Sequence, residues 1–88
     1  MTSSGTTWCV YLLECRDGSL YTGITNALSR RFAAHLQGKG ARYTRSHPPE
    51  RLVGSLPYAN RSEASIAEYQ IKKLKPDQKL ALFNTAKV

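Results

Sequence analysis

The stretch at positions 10–23 constrains the fold of this 88-residue chain more than any other. Two short runs rich in β-branched, aromatic and leucine residues flank an Asp-Gly pair at 17–18, a pattern typical of a β-hairpin. A two-residue loop would place Tyr11 and Tyr21 on opposite faces, because side chains alternate along a strand. A three-residue loop at 16–18 puts the glycine at the left-handed position of a G1 bulge. We therefore predict the three-residue loop.

This register pairs Tyr11 with Gly23 and separates the hairpin into two faces. The predicted core face carries Trp8, Val10, Leu12, Leu20 and Ile24. The opposite face carries Cys9, Tyr11, Leu13, Tyr21 and Thr25. Gly23 leaves bare backbone across from the Tyr11 ring, and a glycine inside a strand often marks the close approach of another backbone or a ligand. Two interpretations stay open, namely an aromatic pair packed over glycine and a site that uses the phenols.

Length and composition suit one small domain. The chain has 41% hydrophobic residues, and we assign residues 8–88 to a single core and residues 1–7 to a flexible amino terminus. No run approaches the roughly 18 apolar residues of a membrane span, and no signal peptide is recognisable. We expect a cytoplasmic protein without a membrane partner. Cys9 and Cys15 are too far apart on one predicted strand for a disulfide and are interpreted as buried thiols.

The charge of the chain is strongly basic and unevenly distributed. Thirteen basic residues against six acidic ones give a net charge of +7, which favours a polyanionic partner. The cations form two groups along the chain. The first comprises Arg30, Arg31, Lys39, Arg42, Arg45 and Arg51, and the second Lys72, Lys73, Lys75 and Lys79.

A helix follows the hairpin, from about Ala27 to Gln37. Asn26 can cap its first turn, and Gly38 can end it. The apolar residues at positions 28, 32 and 36 (Leu28, Phe32 and Leu36) repeat every four residues and predict its buried stripe. At roughly 100° per residue, Arg31 and His35 lie together beside this stripe.

The segment at positions 38–49 is predicted to be a loop by its composition. Its cations suit contact with a phosphate backbone, and Tyr43 could stack on an unpaired base. A charged flexible loop without such a role is the equal alternative. A third strand at 52–56 follows, ended by Pro57.

Two more helices complete the predicted fold. Asn60 followed by Glu63 has the spacing of a capping box and predicts a helix over 61–74. Its buried face consists of Ala64, Ala67, Ile71 and Leu74, and Glu68 lies at the margin of this face. A short helix over 77–86 closes the chain. The expected class is α/β (α+β), a small three-stranded antiparallel sheet flanked by helices in the order β-β-α-β-α-α.

The hairpin resembles the paired motif of the GIY-YIG endonuclease family. The resemblance rests on Val10-Tyr11, on the ten residues from tyrosine to tyrosine, and on the triplet Tyr-Thr-Gly at 21–23. It extends from about Trp8 to Leu74 and is closest to small stand-alone bacterial members. The first triplet departs from the family name, because Cys9 and Val10 replace glycine and isoleucine.

The resemblance implies roles for individual residues. Tyr11, Tyr21, Arg31 and His35 correspond to catalytic positions, since Arg31 lies ten residues after the second tyrosine and His35 four residues further. Glu68 matches the single metal-binding glutamate, for one Mg²⁺ or Mn²⁺ ion, and Asn84 is a further candidate. The residues assigned to nucleic-acid contact are Gly23, Lys39, Arg42, Tyr43 and Arg45.

The resemblance implies a metal-dependent endonuclease that hydrolyses DNA phosphodiester bonds in repair or recombination. Candidate substrates are branched or single-stranded DNA, and a partner protein could supply specificity. Several members carry a lysine after the second triplet where this chain has Ile24. The proton acceptor therefore stays open between Tyr11, Tyr21 and His35. The alternatives are a nucleic-acid-binding module with little or no cleavage and, on charge alone, a scaffold for an acidic protein.

Overall fold

A three-stranded antiparallel sheet forms the centre of the molecule. The computed structural model describes residues 7–86, and its strands β1 (Trp8–Cys15), β2 (Leu20–Thr25) and β3 (Pro49–Tyr58) lie in the order β2-β1-β3. The helices are α1 (Leu28–Leu36), α2 (Arg42–Ser46), α3 (Arg61–Lys72) and α4 (Pro76–Ala86). The predicted class and the order β-β-α-β-α-α are confirmed, with the short α2 inserted where composition predicts a loop. Residues 1–6 of the predicted flexible terminus lie outside the described residues.

The hairpin has the predicted three-residue loop. Tyr11 pairs with Gly23 and Leu13 with Tyr21, as the register requires. Gly18 adopts a φ of 87°, and its N–H donates to the Cys15 carbonyl at 2.9 Å. The glycine is needed here because other residues rarely adopt this left-handed conformation. Both phenols consequently lie on one face of the sheet.

The core lies on the other face, between the sheet and the two carboxyl-terminal helices. Its buried side chains are Val10, Leu12, Val53, Ala64, Ile71 and Phe83, with Trp8, Leu20 and Ile24 packed against them. The predicted core face is therefore confirmed. Cys15 is buried as expected, but Cys9 is only half-buried, and both thiols are free.

Strand β3 is longer than its apolar run predicts. It spans Pro49–Tyr58 rather than 52–56, and Pro57 does not end it but pairs with Cys9 inside the strand. Proline is tolerated there because β3 is an edge strand, so a missing N–H does not interrupt a ladder on its outer side.

The start of α1 lies one residue later than predicted. Its N-cap is Ala27 rather than Asn26, and the Ala27 N–H donates to the Oγ1 of Thr25 at 3.0 Å. This hydrogen bond stabilises the turn that leads into α1, and the N-cap residue makes no side-chain cap of the first helical turn. The helix ends at Leu36 with Gln37 as its C-cap, and Gly38, the predicted stop, follows with a φ of 76°.

The buried side of α1 differs from its predicted stripe. Leu36 is 55% exposed, and Leu28 and Phe32 are only half-buried. The fully buried residue is His35, at 0% exposure. The physical reason is that α1 covers the sheet face with the phenols, where a polar ring finds a hydrogen-bond partner.

Helix α3 begins as its capping signal predicts. The Asn60 side chain accepts a hydrogen bond from the Glu63 N–H at 2.9 Å. The helix ends at Lys72, two residues before the predicted end, and buries Ala64 and Ile71. Within residues 7–86, no helix combines the length and the apolar character needed to cross a membrane.

Candidate active site

Tyr11 lies over the bare backbone of Gly23. The tyrosine is only 1% exposed, and a Cβ at position 23 would sit 2.5 Å from its phenolic oxygen. Gly23 belongs to β2, which is an edge strand of the sheet. Because this strand lacks a side chain at that point, the Tyr11 ring extends from the central strand across its edge neighbour. The aromatic packing over glycine that the sequence suggests is therefore present. The same packing fixes the position of the Tyr11 hydroxyl, so it is compatible with a site that uses the phenols.

His35 joins the two tyrosines in one cluster. Its Nε2 lies 2.7 Å from the Tyr11 hydroxyl, and both side chains are buried. The His35 ring centroid is 5.7 Å from that of Tyr11 and 5.2 Å from that of Tyr21, and the two tyrosine rings are 6.3 Å apart. The structure therefore brings three of the predicted catalytic residues into contact.

Thr44 completes the cluster and is absent from the sequence-based site. Its Oγ1 lies 2.7 Å from His35 Nδ1, and the side chain is 1% exposed. The backbone of Gly40 lies against the same ring, and a Cβ there would overlap it. The available signal was a threonine three residues after Ala41, the spacing that turns its oxygen back to the start of α2. It is weak, because a five-residue helix has no apolar periodicity.

Arg31 reaches the same hydroxyl from α1. Its guanidinium is near enough to lower the pKa of Tyr11, against the larger effect of burial, and its Nη2 lies 3.5 Å from the Gly40 carbonyl. Beside it opens a cleft of about 210 Å³ whose only charged side chains are two arginines. The cleft is lined by Thr25, Asn26, Ala27, Arg30, Arg31 and Ala34. The two guanidinium groups suit this cleft for an anionic group.

Burial keeps the Tyr11 and His35 pair neutral. Desolvation raises the pKa of Tyr11 to about 12, and the Arg31 guanidinium only partly offsets this. Desolvation lowers the pKa of His35, and the positive charge of Arg31 lowers it further. In the resting protein the contact therefore joins a neutral phenol to a neutral imidazole.

Glu68 approaches this site from the other side of the sheet. Its carboxylate is close enough to raise the pKa of Tyr11. Its direct partner is Lys72, whose Nζ lies 3.3 Å from Oε2, and the Glu68 side chain is 23% exposed. Among the described residues, no three His, Cys, Asp or Glu side chains gather into a metal-binding group. A cation at Glu68 would thus have one carboxylate and would complete its shell with water.

Four of the five predicted nucleic-acid residues lie in the segment that covers the cluster, whereas Gly23 lies in β2 and is buried beneath the Tyr11 ring. Lys39, Arg42 and Arg45 are exposed, the last two on α2. Tyr43 is 37% exposed but already has protein neighbours. Its ring stacks on that of Tyr21 at 5.9 Å and on that of His47 at 4.3 Å. An unpaired base would therefore have to extend or displace this stack.

The structure does not bring Asn84 to the cluster. This residue lies in α4, which packs against β3, whereas Gly23 lies in β2 at the opposite edge of the sheet. Its side chain is exposed. Asn84 stays a prediction from the resemblance.

Comparison with known proteins identifies the family of this chain. The family model for the GIY-YIG catalytic domain matches residues 7–81. A UPF0213 protein of Xanthomonas axonopodis pv. citri is 57% identical over 74 residues, covering 84% of this chain and 72% of that protein. Another from Clostridium perfringens is 48% identical over 79 residues, with coverages of 90% and 85%.

Two structures solved by solution NMR have the same fold. One is the UPF0213 protein of Bacillus halodurans, with a TM-score of 0.53 and 45% identity. The other is a protein of E. faecalis, with a TM-score of 0.59 and 38% identity. Each match covers 86% of this chain and 81% of the solved one. The chain therefore belongs to the GIY-YIG family, whose catalytic domain it carries over residues 7–81.

Proposed function

We propose that this chain is a divalent-metal-dependent endonuclease of the cytoplasm that hydrolyses phosphodiester bonds in DNA. The observation that carries the proposal is the buried contact of 2.7 Å between the Tyr11 hydroxyl and His35 Nε2, with the guanidinium of Arg31 acting on the same hydroxyl. A hydroxyl, a proton acceptor and a fixed cation are the groups that hydrolysis of a phosphodiester requires.

Arg31 would bind the phosphate. Its planar fork of donors matches phosphate oxygens and neutralises the charge that develops during transfer. The cleft beside Arg31 offers space for the phosphate. Arg31 also contacts the Gly40 carbonyl through its Nη2. A bound phosphate would thus lie close to the Tyr11 hydroxyl.

Tyr11 and His35 would together remove a proton from the attacking water. The water oxygen forms the new bond to phosphorus as the bond between phosphorus and the leaving ester oxygen breaks, and the proton of the attacking water passes to the Tyr11 oxygen. The departing oxygen takes a proton from solvent water. The original phenolic proton passes to His35 Nε2, which becomes an imidazolium. The raised pKa of Tyr11 argues against a phenolate in the resting protein, so this coupled transfer replaces a free tyrosinate base. Tyr21 packs against the imidazole and holds it in place.

Nucleases of this family generally depend on a divalent metal, and the donor set here fits one such ion. Glu68 would hold it through a carboxylate, and Mg²⁺ commonly binds proteins through one or two carboxylates and several waters. When bound, the ion would polarise the phosphate and stabilise the leaving oxygen. Lys72 would have to release the carboxylate, because its ammonium group now pairs with it.

A cleavage panel tests the proposal. Labelled duplex, single-stranded, flap and four-way-junction DNA, together with RNA, is incubated with Mg²⁺, Mn²⁺ or EDTA. We expect metal-dependent nicking that favours branched or single-stranded DNA. Arg31→Ala and Glu68→Ala should each lose roughly 100-fold or more. The matched controls are Arg61→Ala, which removes an arginine over Trp8, and Glu63→Ala, which removes an exposed carboxylate from α3.

Undiminished cleavage in both site variants would contradict the proposal. A second candidate, a nucleic-acid-binding module, is favoured by one observation, since both pKa shifts hold the Tyr11 and His35 pair neutral. Salt-sensitive binding of DNA or RNA without cleavage of any substrate would support this module. If this chain is an endonuclease whose specificity comes from a partner protein, adding that partner would raise the cleavage rate.

A further inference from the structure

A buried chain of hydrogen bonds continues beyond the Tyr11 and His35 pair. His35 Nδ1 lies 2.7 Å from Thr44 Oγ1, which in turn lies 3.1 Å from the carbonyl oxygen and 3.2 Å from the N–H nitrogen of Ala41. Tyr11, His35 and Thr44 are 1%, 0% and 1% exposed. Water therefore has little access to these atoms, and the protons must be distributed among the protein groups themselves.

The Thr44 hydroxyl has one proton and two possible hydrogen-bond acceptors for it. The Ala41 N–H can only donate, so it occupies one lone pair of the Thr44 oxygen. The hydroxyl proton then goes either to the Ala41 carbonyl or to His35 Nδ1. This choice decides which nitrogen of His35 carries hydrogen.

Only one of the two arrangements gives every proton an acceptor. If Thr44 donates to the Ala41 carbonyl, His35 Nδ1–H donates to Thr44 and the Tyr11 hydroxyl donates to Nε2. If Thr44 donates to Nδ1, then Nε2–H donates to the Tyr11 oxygen. The phenolic proton then has no acceptor among the described contacts, because the other group at this oxygen, Arg31, is also a donor. A buried unpaired hydroxyl is unfavourable, so the first arrangement is preferred.

The loop before α2 holds the ring in this orientation. The backbone of Gly40 lies directly against His35, and any Cβ at that position would overlap the ring. Tyr21 contacts the ring from β2, and Arg31 lies beside it on α1. The imidazole is thus fixed from β1, β2, α1 and the segment 40–44.

We propose that Thr44 is a positioning residue that fixes His35 as its Nδ1–H tautomer, so that Nε2 is free to accept the Tyr11 proton. The tautomer itself does not depend on the proposed endonuclease activity, whereas its consequence for catalysis rests on it. The arrangement follows the general pattern in which a base is oriented by a third group.

Nitrogen-15 NMR of the histidine rings tests the tautomer directly. Long-range proton–nitrogen correlations above about pH 7 distinguish Nδ1–H from Nε2–H imidazole, and His47→Gln assigns the two histidines. We expect His35 to be the Nδ1–H form in the unmodified protein and in Thr44→Ser. Thr44→Val leaves one buried proton without an acceptor in either form, on Nδ1 or on the Tyr11 oxygen, so it should remove the preference and populate the Nε2–H form beside the Nδ1–H form. Thr22→Val is the matched control, because Thr22 is also buried but its Oγ1 has no partner among the described residues.

The outcomes separate this proposal from the proposed function. An Nε2–H imidazole in the unmodified protein, or an unchanged tautomer in a folded Thr44→Val, would overturn the role of Thr44. If circular dichroism shows that Thr44→Val does not fold, the tautomer of His35 in the unmodified protein and in Thr44→Ser still tests the proposal. Where cleavage is measurable, Thr44→Val should lower kcat about 10-fold or more with little change in KM, and Thr44→Ser should retain the rate. Absence of all cleavage would refute the endonuclease and leave the tautomer result standing.

Discussion

Gly23 shows how a missing side chain can position a functional group. The Tyr11 ring extends over this residue, and the phenolic oxygen occupies the space that a Cβ would need. The hydroxyl is thereby carried from the central strand across the edge strand, towards Arg31. A larger residue at position 23 would have to displace the ring, and with it the contact to His35.

We predict that Gly23→Ala impairs the site more than the fold. Overpacking should lower the free energy of unfolding by about 1–3 kcal/mol, and displacement of the Tyr11 hydroxyl should lower the cleavage rate roughly 10-fold or more. Urea denaturation and the cleavage assay measure the two effects. Gly18→Ala is the control, because its φ of 87° is strained for alanine but no atom lies within 4 Å of the added Cβ. Equal cleavage by both variants would contradict the role of Gly23.

His35 is a fully buried histidine whose pKa is lowered by desolvation and by Arg31. In the unfolded chain its pKa should be near the ordinary value of about 6.5. Below that pH the unfolded state binds more protons than the folded state. The contribution of His35 to stability is therefore complete above about pH 6.5 and is lost as the pH falls towards the lower pKa of the folded protein.

We therefore predict a fall in the free energy of unfolding as the pH is lowered below about 6.5. Urea denaturation at several pH values measures it. The fall should be weaker in His35→Gln and should persist in His47→Gln. The carboxyl of Asp17 acts in a separate window, because hydrogen bonds from Ser19 and His47 lower its pKa, so its contribution is lost below about pH 4. An unchanged pH dependence in His35→Gln would contradict the assignment.

At the scale of elements, α1 and α2 act together as the cover of the polar sheet face. Helix α1 contributes His35, whose Nε2 faces Tyr11, and α2 contributes Thr44, whose hydroxyl lies at Nδ1 of the same ring. The apolar repeat of α1 misidentifies its buried side because the surface beneath it is polar. Leu36 is consequently exposed, and His35 takes the central position.

Helix α3 depends on its amino-terminal cap, and the prediction here concerns stability alone. Asn60→Ala removes the acceptor for the Glu63 N–H and should lower the free energy of unfolding by about 1 kcal/mol. Asn60→Asp, which retains an acceptor, should stay close to the unmodified protein. Denaturation curves measure both variants. A loss of cleavage in folded Asn60→Ala would show that the cap also positions Glu68, which we do not expect.

At the scale of the whole molecule, the position of the positive charge matters more than its sum. The net charge is +7, yet Arg42 and Arg45 lie on the short helix that covers the cluster of Tyr11, Tyr21 and His35, whereas Lys75 and Lys79 lie at the start of α4. Phosphate contacts release counterions, so each one steepens the dependence of DNA affinity on salt. Two pairs of cations with equal charge can therefore be compared directly.

We predict that the double substitution Arg42→Gln with Arg45→Gln lowers the slope of log affinity against log salt concentration by about 2. The matched pair Lys75→Gln with Lys79→Gln removes the same charge and should change the slope by much less. Fluorescence anisotropy with labelled DNA at several salt concentrations measures both. Equal effects of the two pairs would indicate that DNA responds only to the net charge.

The sequence by itself determined the features that depend on local conformation. The turn at Gly18, the pairing of Tyr11 with Gly23 and the cap at Asn60 follow from backbone preferences and side-chain alternation over a few residues. The identity of the core face follows from the same alternation. The proposed roles of Arg31 and Glu68 come from the resemblance to the family, because neither residue can be assigned to chemistry from the periodicity of its helix.

Only the tertiary structure decided what lies against the phenols. That Thr44 meets His35, that β3 extends through Pro57, and that Leu36 is exposed all depend on which surfaces face one another across the sheet. Such contacts join residues that are far apart in the chain. The sequence shows no periodic pattern for the five-residue α2 or for the edge position of β3. The burial of a histidine is decided by its partner, because a polar ring is stable inside a protein only where its hydrogen bonds are satisfied.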